Sequence, residues 1–437
     1  MGRSIAVLSC AAVAMTLVAC TPAPSGPGDT AAAGTVLAPI TTLAPITTLP
    51  PTTSSTSTTT TTIPQRDLTG AVTDTAGTPL PGAVVTAAEA TAVTDANGFF
   101  TLSQISTGMV EVALPGWLPH QVRWRGARSH LAIELEPRVV RAVRAIPDVA
   151  GDPAEFEALL ELIEGTTVNA LVFDTKDETG MVRYATTVRR ARQLGAVNPT
   201  YDPAAVLDQA DQAGLYTIAR VVTFEDQVWS DDPQAKLAGI WVNPADEANW
   251  IYPIDLAVEA CRLGFDEVQF DYVRFPAGLT AAVAQAAQPL TADQRVEVIG
   301  GFLAAAQNAL HPLGCAVSAA VFGIVVSSST DEGIGQRPEE LSAVVDALSP
   351  MVYPSHYAPG WLGFPDPNEH PAAVTAGALD DAASRVAPGT LIRPWLQAFY
   401  WTADQIAAAI AAADERGYGW ILWNAAGNYP RQALPTS

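Results

Sequence analysis

From about Val139 onward, runs of β-branched and aromatic residues recur between Ala-rich stretches with helical spacing. Eight runs read as strands: "VVRAVRAI", "VNALVFDTK", "YTIARVVTF", "DEVQFDYVRF", "CAVSAAVFG", "LSPMVYP", "LIRPWLQAF" and "GWILWNA". Helical patterns fall between most of them, at Pro153–Ile163, Pro203–Ala213, Arg295–Leu310, Glu339–Asp346 and Thr402–Arg416. Eight strands alternating with helices predict an α/β fold, a (β/α)8 TIM barrel, whose usual size is about 250 residues. An open doubly wound sheet alternates in the same way, but no glycine-rich phosphate loop follows the first strand.

Residues 66–137 follow a different rhythm. "LTGAVTDTAGTPLPGAVVTA" and "AVTDANGFFTLSQI" alternate apolar and polar positions between Gly, Pro and Asn-Gly turns, which predicts a small all-β sandwich. Upstream, the Thr, Pro, Ser and Ala of residues 20–65 have too little apolar area to offset their chain entropy, so an extended disordered linker is expected. Residues 1–19 combine Arg3, an apolar run from Ile5 to Val18 and "LVAC" ending at Cys20, the pattern of a secretory signal. An uncleaved anchor or a plain signal with an incidental cysteine are the other readings. The expected plan is thus signal 1–19, linker 20–65, sandwich 66–137 and barrel 138–437.

Charge narrows the partners. The chain of 437 residues has 45 acids against 23 bases, a formal charge of −22. Nucleic acid and anionic membrane both demand basic clusters, so neither is expected as the main partner of the folded domains. Beyond Cys20 only Cys261 and Cys315 remain; no CxxC metal spacing is present, and both read as buried structural thiols. Nothing calls for a redox cofactor, a nucleotide or a catalytic metal. A Ca²⁺ site at Asp74 or Asp95 is conceivable, but a turn-forming Asp is the simpler reading.

Function in a barrel of this kind gathers at the C-terminal ends of the strands. The second strand brings Asp174, Lys176 and Asp177 there; Glu225 follows the third, which also carries Arg220. "FDEVQFDYVRFP" brings Glu267, Gln269 and Asp271 to one face, then Arg274. The sixth ends in Ser355, His356 and Tyr357, the seventh carries Arg393, Trp395 and Gln397, and the eighth carries Trp423 and Asn424. Each of these has a structural explanation singly; a whole rim of acids, amides, His and aromatics points to a site.

Three stretches carry resemblances. "LVAC" resembles the lipobox of bacterial lipoproteins, which implies lipidation of Cys20 and anchorage to the outer face of the cytoplasmic membrane or cell envelope. Gly70, Val72, Asp74, Pro79–Ala83, Thr94, Asp95, Gly98 and Phe99 match the pattern of the carboxypeptidase-regulatory-like sandwich, which implies a spacer or binding accessory. From Val139 to Pro430 the series "NALVFDTKDETGMVRY", "YTIARVVTFED", "GFDEVQFDYVRFP", "IGQ", "LSPMVYPSHY", "IRPWLQAF" and "GWILWNA" resembles a bacterial family of glycoside-hydrolase-like TIM barrels of unknown function, distantly similar to the α-amylase-like group. That resemblance implies a polysaccharide or oligosaccharide substrate, extracellular or in the cell wall.

Glycosidic hydrolysis commonly needs two carboxyl groups. Asp271, at the mouth end of the fourth strand, is the candidate nucleophile or base, with Arg274 holding it ionised. Glu225 and Asp174 are the candidate acids. The family's fifth strand reads Ser-x-Asp-x-Phe-Gly, whereas "SAAVFG" places Ala320 at the Asp position, so a catalytically inactive glycan-binding barrel is the alternative. A structural barrel that holds a protein partner is a third reading. Tyr353, Tyr357 and the late tryptophans, Trp361, Trp395, Trp401, Trp420 and Trp423, suit sugar faces, with Trp420 and Trp401 better placed for the core.

Overall fold

The computed structural model describes residues 65–88, 90–278 and 290–437. The signal segment, Cys20 and the linker up to residue 64 lie outside the described residues. Strand β1 (Arg66–Asp74) pairs antiparallel with β4 (Phe99–Ile105) and parallel with β7 (His130–Leu135). A second, antiparallel sheet runs β3 (Ala90–Val93), β2 (Val84–Ala87), β5 (Gly108–Ala113), β6 (His120–Trp124). Alternation works as expected: Leu68, Val72, Phe100, Leu102, Val110, Val112, Ile133 and Leu135 are buried between the sheets while their neighbours face out. The Asp74 carboxylate accepts the backbone N–H groups of Ala76 and Thr78, and Asp95 accepts those of Asn97 and Phe99. Both acids are therefore turn formers.

The rest is a closed parallel barrel: β8 (Arg141–Ala145), β9 (Ala170–Lys176), β10 (Tyr216–Val222), then, beyond a small hairpin of β11 (Lys236–Ala238) and β12 (Trp241–Val242), β13 (Glu267–Asp271), β14 (Ala316–Phe322) and β15 (Ala347–Val352). The seventh position is split at Arg393-Pro394 into β16 (Leu391–Ile392) and β17 (Trp395–Gln397), and β18 (Trp420–Trp423) pairs with β8 to close the ring. All eight expected strands form. Gly116 and Leu391 bring the sandwich against the strand starts, since a Cβ on Gly116 would lie 3.4 Å from Asp346 and 3.5 Å from Leu391. The sandwich thus sits at the end of the barrel opposite the mouth.

Three expected helices match closely, at Pro153–Ile163, Pro203–Gln212 and Ala403–Asp414, and a fourth starts earlier, at Ala292–Leu310. Asp152 and Asp202 accept the first free N–H groups of the first two, and Thr291 and Thr402 form capping boxes with Gln294 and Gln405 on the others. The helix expected over Glu339–Asp346 is only Pro338–Ser342. Beyond it the sheet takes over: the Asp346 N–H donates to Val317 and starts β15, while Thr390 donates to the Ser342 carbonyl. Two long helices, Ile251–Leu263 and Pro371–Arg385, and two short ones, Pro147–Gly151 and Arg189–Leu194, were not expected from the pattern.

The thiol reading of the cysteines is corrected. Cys261, at the end of helix Ile251–Leu263, is disulfide-bonded to Cys315, immediately before β14, with Cα atoms 5.9 Å apart and a sequence separation of 54. Both lie at the N-terminal ends of the strands, the stability face of such barrels. Cross-linking a loop of this length stabilises by about 2–4 kcal/mol. Paired Cys261→Ala and Cys315→Ala substitutions, or reduction, should lower the midpoint of denaturant unfolding accordingly, without moving Asp271.

Candidate active site

The polar face of β13 looks into the barrel. Glu267, Gln269 and Asp271 are buried along the barrel interior, while Val268 and Phe270 face the helices; the Phe270 ring meets Phe302 edge-on at 5.1 Å. The interior is layered. At the bottom Glu267 pairs with Arg393 at 2.7 Å and accepts from the Ser318 hydroxyl. One level up, Gln269 donates to the Ser318 and Ser349 hydroxyls and accepts from the Trp395 indole at 2.9 Å. Asp271 forms the top.

At that level everything converges on Arg220. Its Nε and Nη2 donate to Asp271 Oδ2 at 2.9 and 2.6 Å, its Nη1 to Asp174 Oδ1 at 2.9 Å, and its Nη2 to Glu178 at 2.5 Å. Arg144 grips Asp174 from the other side. Both guanidinium groups stack on Trp423, 4.3 Å (Arg144) and 4.8 Å (Arg220) from its centroid. The other oxygen of Asp271 accepts the N–H of Tyr272, a non-glycine residue at φ 50°. A left-handed tyrosine beside a carboxylate is the kind of strain found at functional sites.

Above Asp271 opens a cleft of about 630 Å³. Asp271, Arg220 and Trp423 form its floor, Tyr272, Arg274 and Phe322 one wall, and Tyr353, His356, Tyr357 and Trp361 another. Glu225, half-buried on the loop after β10, bridges backbone to backbone with Trp241. Burial pushes its carboxyl above the ordinary value against the pull of Arg274, and the charges of Glu178 and Asp271 add to the rise.

Of the rim expected from sequence, the structure brings Asp271, Arg274, His356, Tyr357 and Trp423 to the cleft. The others are elsewhere: Glu225, on the loop after β10, is near enough to feel the charges of Arg274 and Asp271 but does not itself line the cleft. Asp174 is fully enclosed; burial alone would raise its carboxyl, but Arg144 and Arg220 outweigh that and hold it below the usual range. A proton donor needs the opposite, so Asp174 is removed from the candidate acids. Lys176 is buried in an ion pair with Asp226 at 2.9 Å, and Asp177 ties Arg183 and Thr179 within its loop. Gln269, Arg393 and Trp395 occupy lower interior levels. Gln397 accepts the N–H of Ser355 and donates to Asn368, Ser355 is exposed and outside the lining, and Asn424 donates to Ala398 and accepts from Ala426. Arg274 does not hold Asp271 as expected: Arg220 does.

Arg144 and Glu178 are the residues missed. Arg144 is signalled only by an interior position two residues after Ala142; Glu178 lies beyond its strand, where alternation no longer assigns a face. The "IGQ" motif also finds a role. Gln336 is buried, accepts the Phe322 N–H at 2.9 Å and donates to the carbonyls of Val273 and Ala320, lacing the mouth ends of β13 and β14 together.

Residues 146–429 match the family described as "Putative glycosyl hydrolase domain". The chain belongs to this glycoside hydrolase family. Residues 67–125 match the carboxypeptidase regulatory-like domain. Among solved structures, a hypothetical protein from Ruminiclostridium thermocellum is 29% identical, with 40% of this chain and 96% of that one covered and a TM-score of 0.35. The glycoside hydrolase domain of PgaB (BpsB) from Bordetella bronchiseptica is 13% identical, covering 68% and 99%, at a TM-score of 0.50, a likeness of fold. An endo-β-1,4-mannanase from Thermotoga petrophila is 9% identical, covering 67% and 71%, at 0.46. No curated protein matches the sequence.

The enclosed Asp174 makes a stability prediction. Breaking a buried ion pair typically costs about 3–5 kcal/mol, so Asp174→Asn should destabilise the fold by that order. Its carboxyl is lower in the folded than in the unfolded chain, so the contribution is complete above the unfolded value and lost as pH falls through the folded one. Urea unfolding of wild type and variant should therefore differ most near neutral pH and converge in acid.

Proposed function

We propose that this glycoside hydrolase cleaves an extracellular or cell-wall polysaccharide, with Asp271 as nucleophile or base and Glu225 as general acid. The observation that carries the reading is Asp271 on the floor of an aromatic cleft, clamped by Arg220, with Glu225 as the nearby carboxyl group whose affinity for its proton is raised. Glu225 gives its proton to the glycosidic oxygen as the anomeric C–O bond breaks. Asp271 either bonds to the anomeric carbon, to be displaced by water, or takes the proton of the water that attacks it. Tyr353, Tyr357 and Trp361 offer flat faces to sugar rings.

Location belongs to the same proposal. The Leu-Val-Ala-Cys sequence supports a chain lipidated at Cys20 and held outside the cytoplasmic membrane, and the Cys261–Cys315 disulfide suits an oxidising compartment. The sandwich then serves as a spacer at the end of the barrel away from the cleft.

A second reading, a barrel that binds glycan without cleaving it, is favoured by Ala320. This residue lies on the interior face of β14, the strand next to Asp271, and presents only a methyl group where the family pattern has a carboxylate.

Reducing-sugar release from a polysaccharide panel tests both. Wild type should release sugar; Asp271→Asn and Glu225→Gln should each lose on the order of 10²–10⁴-fold in kcat. Retention on glycan without release by the wild type would establish the binding reading. The pH profile adds a signature. Since Glu225 must be protonated to act, kcat should fall as pH rises through its raised pKa, at a higher pH than for an exposed Glu.

A further inference from the structure

Arg274 is a buried cation without a counter-ion. Its guanidinium is clamped between the rings of Trp241 and Phe322, each with its centroid 4.4 Å away, and Tyr272 lies at 5.3 Å. The residue is 6% exposed and lines the cleft. Nη1 donates to its neighbour's carbonyl, Phe275 O, at 3.0 Å, and Nε has no partner. Among the described residues no carboxylate lies within ion-pair distance, and residues 279–289 contain no Asp or Glu. Burial accordingly lowers its affinity for the proton.

An unpaired buried charge is expensive, and the barrel shows how it treats the others. Arg144, Arg220 and Arg393 are each buried against a carboxylate. Arg274 differs in being the one of these four held by aromatic rings in place of an anion. The rings fix the plane of the guanidinium before anything binds, so little side-chain entropy is lost when an acceptor arrives. Glu225 is the nearest candidate partner by electrostatic influence, yet it makes no ion pair with Arg274. The missing anion is therefore to be sought in the ligand.

We propose that Arg274 is a subsite for the carboxylate of an acidic sugar, so that the substrate is a glycan carrying uronic acid or lactyl-ether groups. This rests on the cleft being the glycan site, as above. The cleft itself favours the assignment: Arg274 shares a wall with Tyr272 and Phe322, above the Asp271 floor, so a ring lying over Asp271 can direct a carboxylate substituent to it. A charge-assisted bond to an anchored guanidinium distinguishes an acid from its neutral analogue by about 10- to 100-fold.

Affinity electrophoresis of the full folded region, residues 66–437, tests this without requiring turnover. Gels would contain hyaluronate, polygalacturonate or soluble peptidoglycan glycan strands freed of their stem peptides, each beside its carboxyl-reduced counterpart; the first two carry uronic acids and the third free lactyl carboxylates. The expected result is retardation by at least one acidic glycan at a tenfold or greater lower concentration than by its reduced form. Arg274→Gln should abolish that preference, Arg274→Lys should keep part of it, and Asp271→Asn should keep it while losing hydrolysis. Thermal melts of each variant check folding. Equal retardation by acidic and reduced forms, a preference unchanged in Arg274→Gln, or no retardation by any acidic glycan overturns the subsite. Failure of hydrolysis with the preference intact overturns the enzymatic reading instead.

Discussion

The upper interior of this barrel depends on one guanidinium. Arg220 is 1% exposed and reaches Asp174, Glu178 and Asp271 at once, so three carboxylates from two strands and one loop share a single cation. Taking these charges out of water is costly, and the network is tolerable only because Arg144 adds a second cation and the Trp423 face supports both. The arrangement contributes position more than stability. Asp271 can sit at the base of an apolar-walled cleft because Arg220 satisfies one of its oxygens and the Tyr272 N–H donates to the other.

Division of labour between the carboxyl groups follows from that geometry. A group ringed by guanidinium donors keeps its charge and cannot give up a proton, as with Asp174; a half-buried group that makes no ion pair holds its proton longer, because its burial outweighs the pull of Arg274, as with Glu225. The same contrast separates the arginines. Those paired with acids build the scaffold, whereas Arg274, clamped by rings, faces the cavity with its charge uncompensated.

Eight strands and the sandwich were legible because β-branched runs and turn residues mark them directly. Helices with side-chain caps were legible too, but Ile251–Leu263 carries Pro253 within its first turn and, like Pro371–Arg385, has no side-chain cap to mark its start. Alternation along β13 correctly assigned Glu267, Gln269 and Asp271 to one face. It does not assign depth, so Gln269, Arg393 and Trp395 were read at the mouth although they fill levels below it. Pairing choices were also out of reach: sequence puts Arg274 three residues from Asp271, but the β-strand geometry gives Asp271 to Arg220, 51 residues away. The disulfide was missed for a related reason, since a separation of 54 residues has no signature of its own.

That disulfide has a consequence for resistance to proteolysis. The loop it closes contains all of β13, hence Asp271, together with helix Ala292–Leu310. A protease that cuts the chain anywhere between Cys261 and Cys315 would produce two fragments still covalently joined across the base of the barrel. The strand bearing the candidate nucleophile would remain hydrogen-bonded to β10 and β14 on either side, so the protein is built to be nicked there without coming apart.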